Sequence, residues 1–133
     1  LSRAELWGAY IKGCLYDEKT KFLQNFSITA FRTYLIAPNT NLQDANLRYA
    51  NLRDADLNNT DLSTAKLNSA DLRNANLSGS NLDSANIRNA NLQGTNLTNA
   101  RNLTEEQVKS ATNWDKAIYD EDFLVLLGLA IEE

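Results

Sequence analysis

Few residues in this chain could do covalent chemistry. Its 133 residues include no histidine and one cysteine, Cys14. Without histidine there is no Ser–His or Cys–His nucleophile, and zinc or haem sites of the usual kinds lack their ligands. A single cysteine also rules out an internal disulfide, and Cys14 reads as a small core residue. Gly79 and Gly94 stand alone, with no GxGxxG or Walker spacing around them, so they serve bends and do not cradle phosphate. What remains is charge. Arg48, Arg53, Arg73 and Arg88 recur at related spacings with Tyr49 beside them, and Asp54, Asp56 and Asp71 lie nearby. Arginine beside tyrosine is the kind of surface that protein partners use. Arginine beside aspartate also makes a lattice of solvated ion pairs. The two readings separate only through the element that positions these side chains.

That element is a five-residue beat. Leucine recurs at Leu42, Leu47, Leu52, Leu57, Leu62, Leu67, Leu72, Leu77, Leu82, Leu92 and Leu97, with Ile87 holding one place. Two residues before each stands something small, alanine except at Thr40, Thr60, Ser80 and Thr95. Asn or Asp lies between the two, except at Lys66.

Five residues advance an α-helix by about 500°, so the leucines would spiral around it and leave no single face to bury. On a strand of period two, alternate leucines would point to opposite faces. A short extended step followed by a corner satisfies the pattern. In Ala-x-Leu the two apolar residues are two apart, so extended backbone aims both the same way. If each remaining pair turns the chain by roughly 90°, all leucines face one axis, and coils stack at ~4.8 Å. Asp, Asn, Ser and Gly fill most of the last positions, as bends require.

The pattern resembles the pentapeptide-repeat family, most closely in Ala45-Asn46-Leu47-Arg48-Tyr49 and Ala70-Asp71-Leu72-Arg73-Asn74. The resemblance implies an all-β solenoid, a right-handed quadrilateral β-helix with four units per coil. Thr40, Thr60 and Ser80, twenty apart, would then stack as a hydroxyl ladder that Thr95 does not join. Arg53 and Arg73 would stack directly, with Arg48 and Arg88 on the preceding side, two coils apart. These four arginines and Tyr49 form the candidate interaction face.

The chain reads as a single domain in four parts. Residues 1–16 hold first repeats, such as Ala4-Glu5-Leu6-Trp7-Gly8 and Ala9-Tyr10-Ile11-Lys12-Gly13, and a third is expected from Cys14 with Tyr16 in the leucine place. The spacing from Leu6 to Leu42 is no multiple of five, which places an insertion at 17–38. Its Phe22, Phe26, Phe31 and Tyr34 suit a lid over the open N-terminal coil, with a short helix at 27–35 capped by Ser27. Residues 39–101 are the regular coils, and 102–133 a helical C-terminal cap. Thr104-Glu105-Glu106-Gln107 spells a capping box that opens a helix at 105–111. A second helix is expected at 122–131, weakened by Gly128, with Trp114, Ile118 and Tyr119 pinning both to the last coil. Residues 16–22, Leu35-Ile36-Ala37-Pro38 and the tail resemble segments flanking the repeats in cyanobacterial-type members of the family. The apolar stretch 123–131 also offers a surface on which two rods could form a homodimer.

Charge divides unevenly. The net is −4 for the chain, zero for 40–101, +2 for 1–39 and −6 for 102–133. Some members of the family resemble B-DNA in shape and charge and act on type II topoisomerases such as gyrase. That imitation needs a lengthwise acidic surface in place of phosphates spaced every ~1.7 Å, which a neutral coil does not supply. An excess of Lys and Arg for direct nucleic-acid binding is equally missing. The expectation is therefore a non-enzymatic structural or protein-interaction module with no cofactor, metal or membrane span and an unnamed protein partner; a DNA mimic directed at gyrase is the alternative. The chain opens on Leu1 and contains no methionine, so it reads as a fragment or processed product. Cytoplasm is the default compartment, with thylakoid lumen or periplasm open if a signal was removed.

Overall fold

The structure, a computed structural model, describes residues 15–16 and 34–129. The repeats before Leu15, Cys14, most of the lid and the stretch after 129 lie outside the described residues.

The corners come first, because they set the geometry of everything else. Every fifth residue from Asn39 to Asn99 has φ between 55° and 71°. At each corner from Asp44 to Asn99 the small residue donates its N–H to the carbonyl three back, as in Ala45 N to Leu42 O at 3.1 Å and Ala65 N to Leu62 O at 3.0 Å. This is a type II turn, whose third residue must be left-handed. Asn, Asp, Ser and Gly hold that position almost throughout, being the residues that meet it at least cost. Tyr49 and Thr64 are the misfits.

The position before each leucine is Asn or Asp for an equally local reason. Its side-chain oxygen accepts the N–H two residues on: Asn41 from Gln43 (3.0 Å), Asp61 from Ser63 (3.0 Å), Asn76 from Ser78 (3.0 Å), Asn96 from Thr98 (3.0 Å). These Asx turns fix the approach to the corners, except at Lys66. Lys66 has no oxygen to offer.

Between corners, single residues pair with the residue twenty further on, always in parallel. Asn41–Asp61–Asn81–Arg101, Asn46–Lys66–Asn86, Asn51–Asp71–Asn91 and Asp56–Asn76–Asn96 form four ladders, one per pentapeptide of the turn. Each rung carries bonds on both sides, such as Asp61 N to Thr40 O (3.0 Å) and Leu42 N to Asp61 O (2.8 Å).

Inside, the leucines, Ile87 and most of the alanines form one buried core. The hydroxyls among them are all satisfied. Thr40, Thr60 and Ser80 donate to Ala37, Leu57 and Leu77 carbonyls at 2.8, 2.8 and 2.7 Å. The expected ladder therefore exists as a column of positions, but its hydroxyls bond the corners and not one another. Thr95 donates to Leu72 O at 2.7 Å, a carbonyl from the preceding coil.

Both ends depart from the sequence reading. Strand β1 (Leu15–Tyr16) pairs in parallel with β2 (Tyr34–Leu35), so residues 34–35 are extended and not the end of a helix. Corner geometry already holds at Leu35-Ile36-Ala37-Pro38-Asn39: Ala37 is buried in the leucine place, Asn39 is left-handed, and Asn39 N donates to Asn58 O at 2.9 Å. At the other end the winding outlasts the beat. Thr112 pairs with Asn91 and Ile118 with Asn96, offsets of 21 and 22, so the chain lays down two further rungs while absorbing extra residues. Ala111 and Ala117 hold the small positions, and Tyr119 is buried where a leucine would stand.

Helix α1 (Glu105–Lys109) starts at the expected capping box, with Thr104 Oγ1 accepting from Gln107 N at 3.2 Å. It ends two residues before the expected boundary because Ala111 is needed in the coil. Gln107 Nε2 also reaches back to Leu82 O (2.9 Å) and Ala85 O (3.0 Å), and Val108 is buried in the core. A 3-10 turn at Trp114–Lys116 leads to α2 (Glu121–Leu127). Gly128, left-handed at φ 73°, stops α2 there, short of the expected residue 131. Tyr119 and Phe123 stack at 5.5 Å, and Leu127 is buried, while Ile118, expected as a pin, pairs through its backbone and exposes its side chain.

Candidate interaction surface

With twenty residues per turn, outward side chains fall into columns. The candidate residues divide between two adjacent sides. Arg48, Asn68 and Arg88 share one column, fixed by Tyr49 N to Asn68 O (3.3 Å) and Ser69 N to Arg88 O (2.9 Å). Arg53 and Arg73 share a column on the next side, beside the Asn51–Asp71–Asn91 ladder. Tyr49 stands at the corner between them, 77% exposed.

The two sides differ in electrostatics. On the second of them Arg73 is taken up by Asp71, with Nε to Oδ1 at 2.8 Å and a second bond to Oδ2 at 2.6 Å. This fork of bonds from Arg73, more than any burial, holds the Asp71 carboxyl below the usual carboxylate range and raises Arg73 in turn. Arg53 adds a weaker through-space pull on Asp71. Asp54 and Asp56, expected to share in such a lattice, make no ion pair among the described residues. Here the ion-pair reading holds for one arginine.

The Arg48–Arg88 side is unlike it. Its ladder Asn46–Lys66–Asn86 brings Lys66 into the coil between the two arginines, and all three cations are exposed. Across these three coils the side carries no carboxylate, and none of the three cations is ion-paired among the described residues. Arg48 Nε donates to Asn68 Oδ1 at 3.2 Å, one coil on, which steadies the guanidinium without neutralising it. Lys66 was missed as part of the site because it stands two positions before Asn68, the residue that shares the arginine column, so aligning arginines twenty apart does not select it.

The opposite sense of charge gathers on the side of the Asn41–Asp61–Asn81–Arg101 ladder. Asp61 there accepts from the Ser63 hydroxyl (2.6 Å) and N–H (3.0 Å), and these bonds, with the more distant Arg101, keep its carboxyl below the usual range. The Asp56–Asn76–Asn96 side presents amides and small hydroxyls, with Asn58 Nδ2 to Ser78 Oγ at 3.0 Å. On α2, Val125 and Leu126 are each 56% exposed. Among the described residues no three metal-ligating side chains gather, and no helix is long and apolar enough to cross a membrane.

Comparison with known proteins places this architecture. The chain is similar to HetL, a pentapeptide repeat protein involved in heterocyst differentiation regulation from the cyanobacterium Nostoc sp. strain PCC 7120, at 32% identity. The match covers 89% of this chain and 54% of HetL, with a TM-score of 0.33, so the chain spans about half of HetL's length. No curated protein matches it. The family model for pentapeptide repeats matches in 8 copies over residues 34–63 and 65–101, just over half of the chain. Its start at 34 agrees with the corner found at Asn39, ahead of the first leucine of the beat. The chain belongs to the pentapeptide-repeat family, and its fold is that family's right-handed β-helix.

Proposed function

We propose that this chain is a non-enzymatic scaffold that binds a protein partner on its outer sides. In this reading the β-helix is quadrilateral, covered near its N-terminus by the part of the insertion that precedes Tyr34 and at its far end by the helical segment that follows residue 101. The observation that carries it is the division of labour between inside and outside. The interior is filled by leucine, alanine and hydroxyls already bonded to carbonyls. Chemical variety is confined to columns of exposed side chains held at about the inter-strand spacing of ~4.8 Å. Such ladders suit recognition of a surface better than enclosure of a small substrate.

The face to test is Arg48, Tyr49, Arg53, Arg73 and Arg88. Capture from extracts of the source organism, with wild type compared against Arg53→Glu/Arg73→Glu and Arg48→Glu/Arg88→Glu, should lose a defined set of bound proteins in one of the variants. A set retained by all variants would place recognition elsewhere on the rod; none captured by wild type would count against a scaffold. The gyrase reading is tested by a supercoiling assay. Balanced charge over residues 40–101 predicts no effect at stoichiometric amounts, and inhibition or protection would reverse the order of the two. The exposed Val125 and Leu126 support a further use of α2, pairing two rods, which sedimentation over a range of concentrations would reveal.

A further inference from the structure

We infer that the Arg48–Lys66–Arg88 side binds an acidic, extended segment of a partner protein, with Tyr49 as its apolar contact. This rests on the scaffold reading above and names the partner's chemistry.

The first support is charge. Three exposed cations lie on one side over three coils, with no carboxylate among them. Helix α1 passes beyond the upper coil, as Asn89 N to Ser110 O at 3.0 Å shows; its Glu105 is paired with Lys109, and its exposed Glu106 makes no ion pair with the three cations.

The second support is that this side breaks the rules of the coil twice, to its own structural disadvantage. Tyr49 occupies a left-handed corner (φ 58°) where a bulky side chain is an outlier. Its ring stays 77% exposed, and among the described residues its hydroxyl makes no hydrogen bond to compensate. Thr64, the other misfit, has its hydroxyl within reach of both Asp44 and Ser63 O (2.6 Å) and donates to one of them, which offsets its cost locally. Lys66 replaces the Asx acceptor, so Asn68 N loses the bond that its counterparts Arg48 N and Arg88 N keep to Asn46 and Asn86 (3.4 and 3.1 Å). Local violations without a structural return gather where function needs them. Here both add recognition chemistry to one side, a cation and an aromatic ring.

The third support is spacing. Arg48 and Arg88 are two coils apart, ~10 Å along the rod, with Lys66 at the level between. A polyproline II segment repeats every three residues and rises ~9.3 Å over them, so carboxylates three residues apart would face the same way at that interval. Proline or another apolar residue between them can rest on the Tyr49 ring, as extended segments do on exposed aromatics.

The test uses a fluorescein-labelled peptide repeating Asp-Pro-Ser, its Lys-Pro-Ser counterpart, and a DNA duplex of matched charge, with binding followed by anisotropy. The acidic peptide should bind the whole chain, weaken with salt as exposed ion pairs do, and bind better than the other two probes. Arg48→Glu/Arg88→Glu should lower affinity about tenfold or more, while Arg53→Glu on the neighbouring side changes it less than about threefold. Tyr49→Asn and Lys66→Asn restore the residues that the coil prefers. Both should melt at or above the wild-type temperature and yet bind the peptide several-fold more weakly, which separates recognition from folding. The inference is overturned if wild type does not bind the acidic peptide, if all variants bind it equally, or if the DNA duplex binds more tightly. Loss of the inference in any of these ways leaves the scaffold reading to its own capture experiment.

Discussion

At the scale of single residues the fold is a series of left-handed corners, and the cost of each depends on who occupies it. Gly79 and Gly94 have φ of 68° and 71°, and a Cβ at either would overlap the Asn one coil below, Asn59 or Asn74. Gly79→Ala should destabilise the chain by about 1–2 kcal/mol, read by thermal melting. Combining it with Asn59→Gly, which removes the overlapping atom, should recover part of that loss. Recovery in full would show that overlap and not backbone strain is the cost. Charge acts at the same scale. Asp61 and Asp71 ionise more readily in the folded chain than in the unfolded one, whose value is 3.8. The unfolded chain then binds more protons, so their contribution is fully present above pH 3.8 and lost as pH falls through the lower folded values. Melting temperature should fall on acidification through that window, and Asp71→Asn, which removes the titrating group and with it the charged two-oxygen fork to Arg73, should start lower near neutrality and fall less.

At the scale of elements the question is what holds α1 against the last regular coil. Gln107 serves three masters there: its Oε1 accepts from Thr104 N (2.8 Å) while its Nε2 donates to Leu82 O and Ala85 O. Gln107→Ala strips partners from carbonyls of the last regular coil and should cost about 1–3 kcal/mol. Hydrogen exchange at the Val108 amide should accelerate with it, because α1 is only five residues long and holds by these contacts. Tyr119 anchors the following rung, donating to Trp114 O at 2.7 Å. Burial, aided by Asp115, pushes its phenol well above the ordinary 10.0. The unfolded chain therefore loses this proton first, so stability from Tyr119 is intact below pH 10.0 and declines as pH rises beyond it. Tyr119→Phe should melt lower at neutral pH yet show a shallower alkaline decline.

These same elements show what sequence could reveal. The beat from Thr40 to Ala100 was legible because leucine every five residues leaves no other way to bury one face. Its extensions were not. Ala37 stands in for leucine at one end; at the other, Ala117-Ile118-Tyr119 uses tyrosine, and the extra residues of α1 and the 3-10 turn destroy the phase. The arginines of the candidate face could be assigned to columns from the twenty-residue repeat, but the pairing of Arg73 with Asp71 and the isolation of Arg48 depend on rotamers that spacing does not specify. Lys66 and Tyr49 were visible as irregularities. Their meaning required the Asx turns and the sign of φ, which show that each is unfavourable where it stands.

At the scale of the whole molecule the regular coils keep one register: in the ladders from Asn41 to Asn81 each residue pairs with the residue twenty further on. It fixes the ladders, the core and the column that aligns Arg48 with Arg88. The most direct test replaces Asn58 and Ser78, whose side chains meet at 3.0 Å, with cysteines, after Cys14→Ser. Neighbouring coils lie at a separation that a disulfide spans without strain. The 58–78 pair should oxidise to near completion with native-like melting, and a 58–73 pair, a quarter turn out of register, should stay reduced. Failure of 58–78 to close while 58–73 closes readily would contradict the coil and with it the proposed binding side.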